Sequence, residues 1–326
     1  MRRCDKDRLR HITGDCGCHH GRVRPYQHPG TRRWVVALAG SALIAGCGAP
    51  TPPVNPSPVP TSAVSTATVP SPTATPATNL SPTPSEAPAI VLPPAGAGFD
   101  YQLGGAYPPP SGVRVVVRDR SERPAPGVYS ICYLNGFQTQ PDEQRFWLTR
   151  HPDLLLRTAN GTPVVDEDWG ELLLDTGTEP RRSAIAGIVG QWISGCAEAG
   201  FAAVEFDNLD SYDRSQGVLT RGDNVAMQRQ FSRLAHAQGL AVAQKNAAEL
   251  LGRRSELGTD FAIAEECTRY AECAEFVAVY GRRVYVIEYR DSDFAAGCRR
   301  SPELSIIRRD LDLVPAGSAG YVYRSC

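Results

Sequence analysis

Two acidic clusters stand at the ends of short apolar runs. In the first, Ala202-Ala203-Val204-Glu205-Phe206-Asp207 is followed by Asn208, Asp210, Tyr212 and Asp213; in the second, Phe261-Ala262-Ile263-Ala264 leads to Glu265-Glu266-Cys267, then Tyr270, Glu272 and Cys273. Packing does not explain such placement, because a buried carboxylate without a partner is costly. Strand alternation sends Ala203, Glu205 and Asp207 to one side. Carboxylates contributed by two separate strands are the minimum equipment for glycoside hydrolysis: one protonates the departing oxygen while the other attacks the sugar or activates water. The competing structural explanation of the first cluster is a solvated loop with an N-cap aspartate.

Other residues could assist. Val286-Ile287-Glu288-Tyr289-Arg290-Asp291 offers Glu288 as a sugar contact or as a partner of Arg290. Lys245, the only lysine after the signal-like segment, stands beside Asn246 at the end of another apolar run. It can orient a carboxylate or a sugar hydroxyl, or anchor a buried ion pair; a Schiff-base role is remote. Serine-hydrolase chemistry is disfavoured, since no Gly-x-Ser-x-Gly elbow is present and the body's two histidines, His151 and His236, fall in helix or loop contexts.

These residues need a scaffold that brings strand ends together. Runs at Phe99–Leu103, Val113–Arg118, Val128–Asn135, Leu172–Asp175, Ala202–Asp207, Leu240–Asn246, Phe261–Glu265 and Val284–Tyr289 read as strands. Ser183–Ala199 and Asn224–Gln238 have helical spacing, the second after Thr220 and Asp223 as caps. Strand–helix repetition favours a parallel sheet, and about eight strands in some 230 residues suit a (β/α)8 TIM-type barrel of the α/β class, whose chemistry gathers at the C-terminal strand ends. A doubly wound open sheet is the alternative, but no Gly-rich phosphate fingerprint follows the first strand. Of six body cysteines, Cys267 with Cys273 and Cys298 with Cys326 suit disulfides and Cys132 and Cys196 read first as buried free thiols, while the spacing selects none of the 15 possible pairings. No zinc pattern, and no other metal or cofactor signature, is present.

The 326 residues divide unevenly in charge. Residues 1–46 hold nine basic and three acidic side chains, leaving 25 basic and 32 acidic in the remainder, a net of −7. An acidic body excludes ordinary nucleic-acid binding, which needs clustered Lys and Arg. Arg32 and Arg33 precede an apolar run from Trp34 to Ala45 that ends Leu43-Ile44-Ala45-Gly46-Cys47. The run is short for a membrane span, and 1–47 reads as a signal segment with a lipobox, Cys47 becoming the lipidated first residue of a chain held outside the cytoplasm at the membrane. An uncleaved anchor is the alternative. Residues 1–30 are atypical for such a signal, and Val23 offers another start. Cys16, Cys18, His19 and His20 lack the spacing of a structural zinc site. Residues 48–97, rich in Pro, Thr, Ser and Ala with Glu86 as the sole charge, read as a disordered tether. Residues 98–326 form the barrel.

Over nearly all of this body the chain resembles glycoside hydrolase family 114, the endo-α-1,4-polygalactosaminidase-like barrels. The matching pieces are Phe99–Leu103, Ile131-Cys132-Tyr133, Trp169-Gly170-Glu171 to Asp175, Gly200–Asp210, Ala235-His236 to Ala241, Lys245-Asn246, Glu265-Glu266-Cys267 with Tyr270–Cys273, and Val286–Tyr289. The sequence departs from the family pattern at Phe206, at Ala264 and over Leu134–Gln140. The resemblance implies a TIM-type barrel that cleaves α-1,4-linked galactosamine polymers internally, with Asp207 and Glu265 as the catalytic carboxylates. Glu265 is assigned as general acid, while Glu205, Asn208, Asp210, Tyr212, Lys245, Asn246, Glu266 and Glu288 are expected to support or bind the sugar. A cationic polymer suits the acidic body. The alternatives are a non-catalytic surface polysaccharide-binding lipoprotein on the same barrel and a two-lobed solute receptor.

Overall fold

The computed structural model describes residues 89–326. The expected signal segment, the lipidation site Cys47 and most of the expected tether lie outside the described residues. Residues 91–97, the end of the range read as tether, lie against the barrel: Val91 O accepts from the Tyr129 hydroxyl at 2.6 Å, Pro94 O accepts from the Tyr285 hydroxyl at 2.8 Å, and Gly96 N donates to Arg282 O at 3.1 Å.

The strands are β1 (Gly98–Gln102), β2 (Val113–Asp119), β3 (Tyr129–Asn135), β4 (Val165–Asp166), β5 (Glu171–Leu172), β6 (Ala203–Asp207), β7 (Ala241–Lys245), β8 (Phe261–Glu265), β9 (Val284–Glu288), β10 (Ser305–Arg309) and β11 (Tyr323–Ser325). The helices are α1 (Gln144–Arg150), α2 (Glu179–Ala199), α3 (Arg221–Ala237), α4 (Arg254–Leu257), α5 (Cys267–Tyr270), α6 (Cys273–Tyr280) and α7 (Asp291–Arg300). Eight strands run parallel in the order β1-β2-β3-β6-β7-β8-β9-β10, with β11 antiparallel on β10. Side chains tie β10 back to the first strand. Ser305 Oγ donates to Ala97 O at 2.6 Å, and the Arg309 guanidinium reaches Tyr101 O. The result is the TIM-type barrel expected, with short links and no helix on either side of β2.

Two strand assignments change. Leu172–Asp175 does not enter the barrel; β5 instead pairs antiparallel with β4 in a small hairpin between β3 and α2. The eighth barrel strand is β10, hidden in the sequence Ser-Ile-Ile-Arg-Arg because its short apolar stretch ends in two arginines. Arg309 is nonetheless fully buried, its charge balanced by Asp100 at 3.3 Å.

Local signals explain the helices beside the site. Thr220 and Asp223 form a reciprocal capping box that starts α3, satisfying backbone donors that would otherwise be orphaned. Gly200, at φ +94°, ends α2 in the left-handed region that glycine tolerates and turns the chain into β6. Outward-facing strand residues pack under α2 and α3, with Phe206 and Phe231 stacked at 4.9 Å. Fully burying one such ring contributes about 1.5–3 kcal/mol. Cys132 and Cys196 are not free thiols: they form a disulfide linking β3 to α2, alongside Cys267–Cys273 and Cys298–Cys326. Cys132 is an outward position of its strand, and the 64-residue connection folds α2 back over it. In the chain-entropy account, closing a loop of that length stabilises by about 4 kcal/mol.

Candidate active site

Three strands end in the same way. Asp207 closes β6, Lys245 closes β7 and Glu265 closes β8, and each is followed by a residue in the left-handed region: Asn208 at φ +66°, Asn246 at +48° and Glu266 at +55°. The chain leaves each strand abruptly, so the last side chain keeps its inward direction and points up from the barrel mouth. Asparagine tolerates this backbone; for Glu266 it costs roughly 1–2 kcal/mol. Arg269 holds the Glu266 carboxylate through Nη1 at 2.8 and 2.9 Å.

The three side chains converge. Lys245 Nζ lies 3.0 Å from Asp207 Oδ1, 3.2 Å from Glu265 Oε2 and 3.4 Å from Glu205 Oε1. The Lys245 side chain is 2% exposed, whereas those of Asp207 and Glu265 are 20% and 26% exposed. The cation is therefore underneath and the two carboxylates open upward. Two oxygens that touch one nitrogen at these distances are at most about 6 Å apart. Tyrosine hydroxyls complete the setting, with Tyr133 donating to Asp207 Oδ2 at 2.8 Å and Tyr289 to Glu265 Oε1. Asn246 bridges to Glu265, its Nδ2 donating to Oε2 at 3.0 Å while its Oδ1 accepts from Glu265 N at 2.8 Å.

Electrostatics separates Asp207 from Glu205. Burial alone would raise Asp207, but the Lys245 charge, together with hydrogen bonds from Lys245, Tyr133 and the Asn208 backbone, holds its carboxyl below the ordinary aspartate value. Burial would lower Lys245, yet Asp207, Glu265 and Glu205 keep it well above the usual lysine range and so charged. Glu205 is pushed up to about 7, chiefly by burial, against the attraction of Lys245.

Above the pair opens a cleft of about 820 Å³ lined by twelve carboxylates and only two basic residues, Lys245 and Arg214. The expected residues Asn208, Asp210, Asn246 and Glu266 line it. On the Asp207 side, Asn208 Nδ2 donates to Asn135 Oδ1 at 3.1 Å, and Arg214 binds Asp210 at 2.9 Å and Asp166 at 2.8 Å. Three expected sugar-binding residues are elsewhere. Glu205 is fully buried beneath Lys245. Tyr212 packs into the outer core and donates its hydroxyl to Glu249. Glu288, at an outward position of β9, is buried and accepts from Thr268 N at 2.9 Å; Arg290 pairs with Asp293 instead. Parity is the reason, for Tyr285 and Ile287 take the inward positions on that strand and Tyr289, just past its end, joins them.

The sequence reading missed Tyr133 and Tyr289 as ligands of the two acids, although each lies at an inward position, a pattern visible once parity is assigned. It also gave no role to Glu171, which the hairpin lays into the cleft. Glu171 Oε2 accepts from Asn135 Nδ2 at 2.9 Å, and burial pushes this carboxyl up to about 7. Trp169 and Tyr270, both largely exposed, line the same cleft. Among the described residues, the one tight grouping of metal-ligand types is Cys267, Cys273 and Glu288, and its two sulfurs are bonded to each other. Two carboxylates facing one groove, one of them held ionised, equip the site for acid- and nucleophile- or base-assisted displacement at an acetal carbon.

The family model for glycoside-hydrolase family GH114 matches residues 80–326. Among solved structures, the chain is similar to Ega3 from Aspergillus fumigatus in complex with galactosamine, with 20% identity over 75% of this chain and 98% of that one and a TM-score of 0.56. This likeness shows a shared fold. The glycoside hydrolase domain of PelA from Pseudomonas aeruginosa has 16% identity over 68% of this chain and 98% of its own, with a TM-score of 0.48. No curated protein matches the chain in sequence.

Proposed function

The chain belongs to glycoside-hydrolase family GH114, and we propose that it cuts a cationic amino-sugar polysaccharide, of the α-1,4-linked galactosamine type, within the polymer. One observation carries the reading: Asp207 and Glu265 share a single buried ammonium at the floor of an open groove whose charge is overwhelmingly negative. An acidic groove raises the local concentration of a polycation, and it repels acidic glycans. The galactosamine bound by the structurally similar Ega3 supports the same substrate class.

Asp207, held ionised, attacks the anomeric carbon as Glu265 delivers its proton to the departing glycosidic oxygen. Water, deprotonated by Glu265, then displaces Asp207 and restores both groups. The closeness of the pair supports this two-step course with retained configuration. Retaining carboxylates stand roughly 5–5.5 Å apart and inverting ones roughly 6.5–9.5 Å, and the bound of about 6 Å on the oxygens at Lys245 favours the former.

The signal segment, the Cys47 lipobox and the tether support placement on the outer face of a membrane, and three disulfides suit an oxidising compartment. Replacement of Cys47 by Ser should release the protein from membranes. The direct test incubates the purified protein with α-1,4-galactosamine polymer, its fully N-acetylated form and neutral glycans. New reducing ends from the free-amine polymer, lost at high salt, are expected. Equal cleavage of the neutral glycans, or binding with no cleavage of any, overturns the reading.

A further inference from the structure

Beneath the two cleft carboxylates, Lys245 Nζ has more acceptors than hydrogens. An ammonium carries three donors. Four oxygens surround this one: Asp207 Oδ1 at 3.0 Å, Glu265 Oε2 at 3.2 Å, the Tyr101 hydroxyl at 3.3 Å and Glu205 Oε1 at 3.4 Å. Tyr101 resolves the excess by accepting from Nζ while donating to Glu205 Oε1 at 2.7 Å. Glu205 therefore grips the lysine both directly through Oε1 and through a hydroxyl relay. Its side chain is 0% exposed, and its Oε2 has no hydrogen-bond partner among the described residues. A carboxylate that never meets solvent or sugar is poor packing material between Tyr133 and Ala243, its neighbours in register.

We propose that Glu205 is a positioning residue: with Tyr101 it holds the Lys245 ammonium midway between Asp207 and Glu265, so that one cation serves the negative charge as it passes from the first carboxylate to the second. The inference rests on Asp207 and Glu265 being the catalytic pair. At the start Asp207 is a carboxylate and Glu265 an acid. When an Asp207 oxygen bonds to the anomeric carbon, its charge is lost. The proton that leaves Glu265 for the departing oxygen puts an equal charge on Glu265, so the pair carries one negative charge throughout. The same transfer occurs if Asp207 instead takes a proton from water, so the role is independent of stereochemistry. A cation fixed beforehand at bonding distance from both ends needs no reorganisation during the step, which is how preorganised electrostatics lowers a barrier.

The charged and titratable groups facing Glu205 are Tyr101 from β1, Asp207 from its own strand, Lys245 from β7 and Glu265 from β8, with Tyr133 and Tyr289 beyond them on the two acids. Burial, then the nearby carboxylates, holds all three tyrosines protonated. An ionised Glu205 thus opposes ionisation of the pair above it. Because burial has pushed Glu205 up to about 7, that opposition is felt on the alkaline limb of a rate profile and not on the acid limb.

The experiment measures kcat, KM and pH profiles on galactosamine polymer for the parent, Glu205→Gln, Tyr101→Phe and the double variant. The expected result for Glu205→Gln is a fall in kcat of about tenfold with KM within about twofold, and an alkaline limb moved to lower pH while the acid limb stays. The double variant should lose no more than the worse single one, since the two residues act on one ammonium. A profile superimposable on the parent's, a raised KM with unchanged kcat, or losses that multiply would each overturn the inference. Should Glu205→Gln fail to fold, Tyr101→Phe carries the test, and an unchanged kcat there is the contrary result. If Asp207→Asn and Glu265→Gln keep full turnover, the reading of the pair itself fails. If they abolish turnover while Glu205→Gln behaves as the parent, only the positioning role fails.

Discussion

The lower and upper interiors of the barrel are built from the same strands and the same parity, yet they do different work. At the lower end Phe99, Val115, Ile131, Phe261 and Tyr285 interdigitate with the small Ala203 and Ala241, rings meeting at 5.2 Å between Phe99 and Tyr285. Alternation of large and small side chains fits the taper. Two residues further along the same strands, the inward positions become Tyr101, Tyr133 and Glu205, and then Asp207, Lys245 and Glu265. The difference teaches that parity decides which way a side chain faces, while distance along the strand decides whether it packs in the core or lines the cleft. The upper end opens into the cleft, so a charge there can be exposed on one side and paired on the other.

Substitutions at the upper end should break activity while sparing the fold. Asp207→Asn should lower kcat by a factor on the order of 10³ or more, and Glu265→Gln by roughly 10²–10³, both measured as release of reducing ends with polymer binding retained. Lys245→Met joins the two regions. It leaves the buried Glu205 and the two partly exposed acids above it without their cation, and breaking a buried pair costs about 3–5 kcal/mol, so denaturant unfolding and turnover should both suffer. The lower end should behave in the opposite sense. Phe261→Ala should cost about 3–5 kcal/mol of stability, read from the denaturation midpoint, with kcat of the folded fraction within about threefold of the parent.

The boundary between the two regions has its own pH signature. Burial pushes Glu205 in the folded chain up to about 7 from an ordinary value of 4.5. Between those values the folded state retains a proton that the unfolded chain has lost, so stability falls as pH rises through this window, by on the order of 3 kcal/mol. Glu205→Gln should flatten the decline in a pH series of unfolding curves, leaving the contributions of the other carboxyls that burial also raises, Glu171, Glu143 and Glu288 among them. The least effect is expected at Glu288→Gln, which keeps a carbonyl acceptor for Thr268 N. Turnover within about twofold and a stability change of about 1 kcal/mol would confirm that facing outward on β9 removes a carboxylate from the chemistry. A hundredfold loss of turnover would break the parity rule.

Much of this scaffold was legible beforehand. Seven of the eight barrel strands, both long helices and the α3 cap have local signals: β-branched runs, helical spacing, and a threonine three residues before an aspartate. The strand β10 escaped because its two arginines are neutralised by distant partners, Asp100 and Asp291. The Cys132–Cys196 disulfide escaped because a 64-residue separation says nothing about proximity until α2 is laid over β3. Of the site, the two acid clusters and Lys245 were found from residue type and position. Glu288 was mistaken for a cleft residue because its place at a strand end resembled theirs, and counting parity from Ile287 corrects it.

By itself the sequence determined that strands would alternate with helices, that carboxylates would crowd several strand ends, and that the body would be acidic. Those properties follow from residue type and from spacing over a few positions, which local sterics and hydropathy translate directly. Only the tertiary structure decided that Asp207, Lys245 and Glu265 meet, that Glu205 lies below them, and that a hairpin carries Glu171 into the groove. Such meetings depend on strand register and barrel stagger, which arise from the pairing of segments tens of residues apart and leave no trace within any one of them.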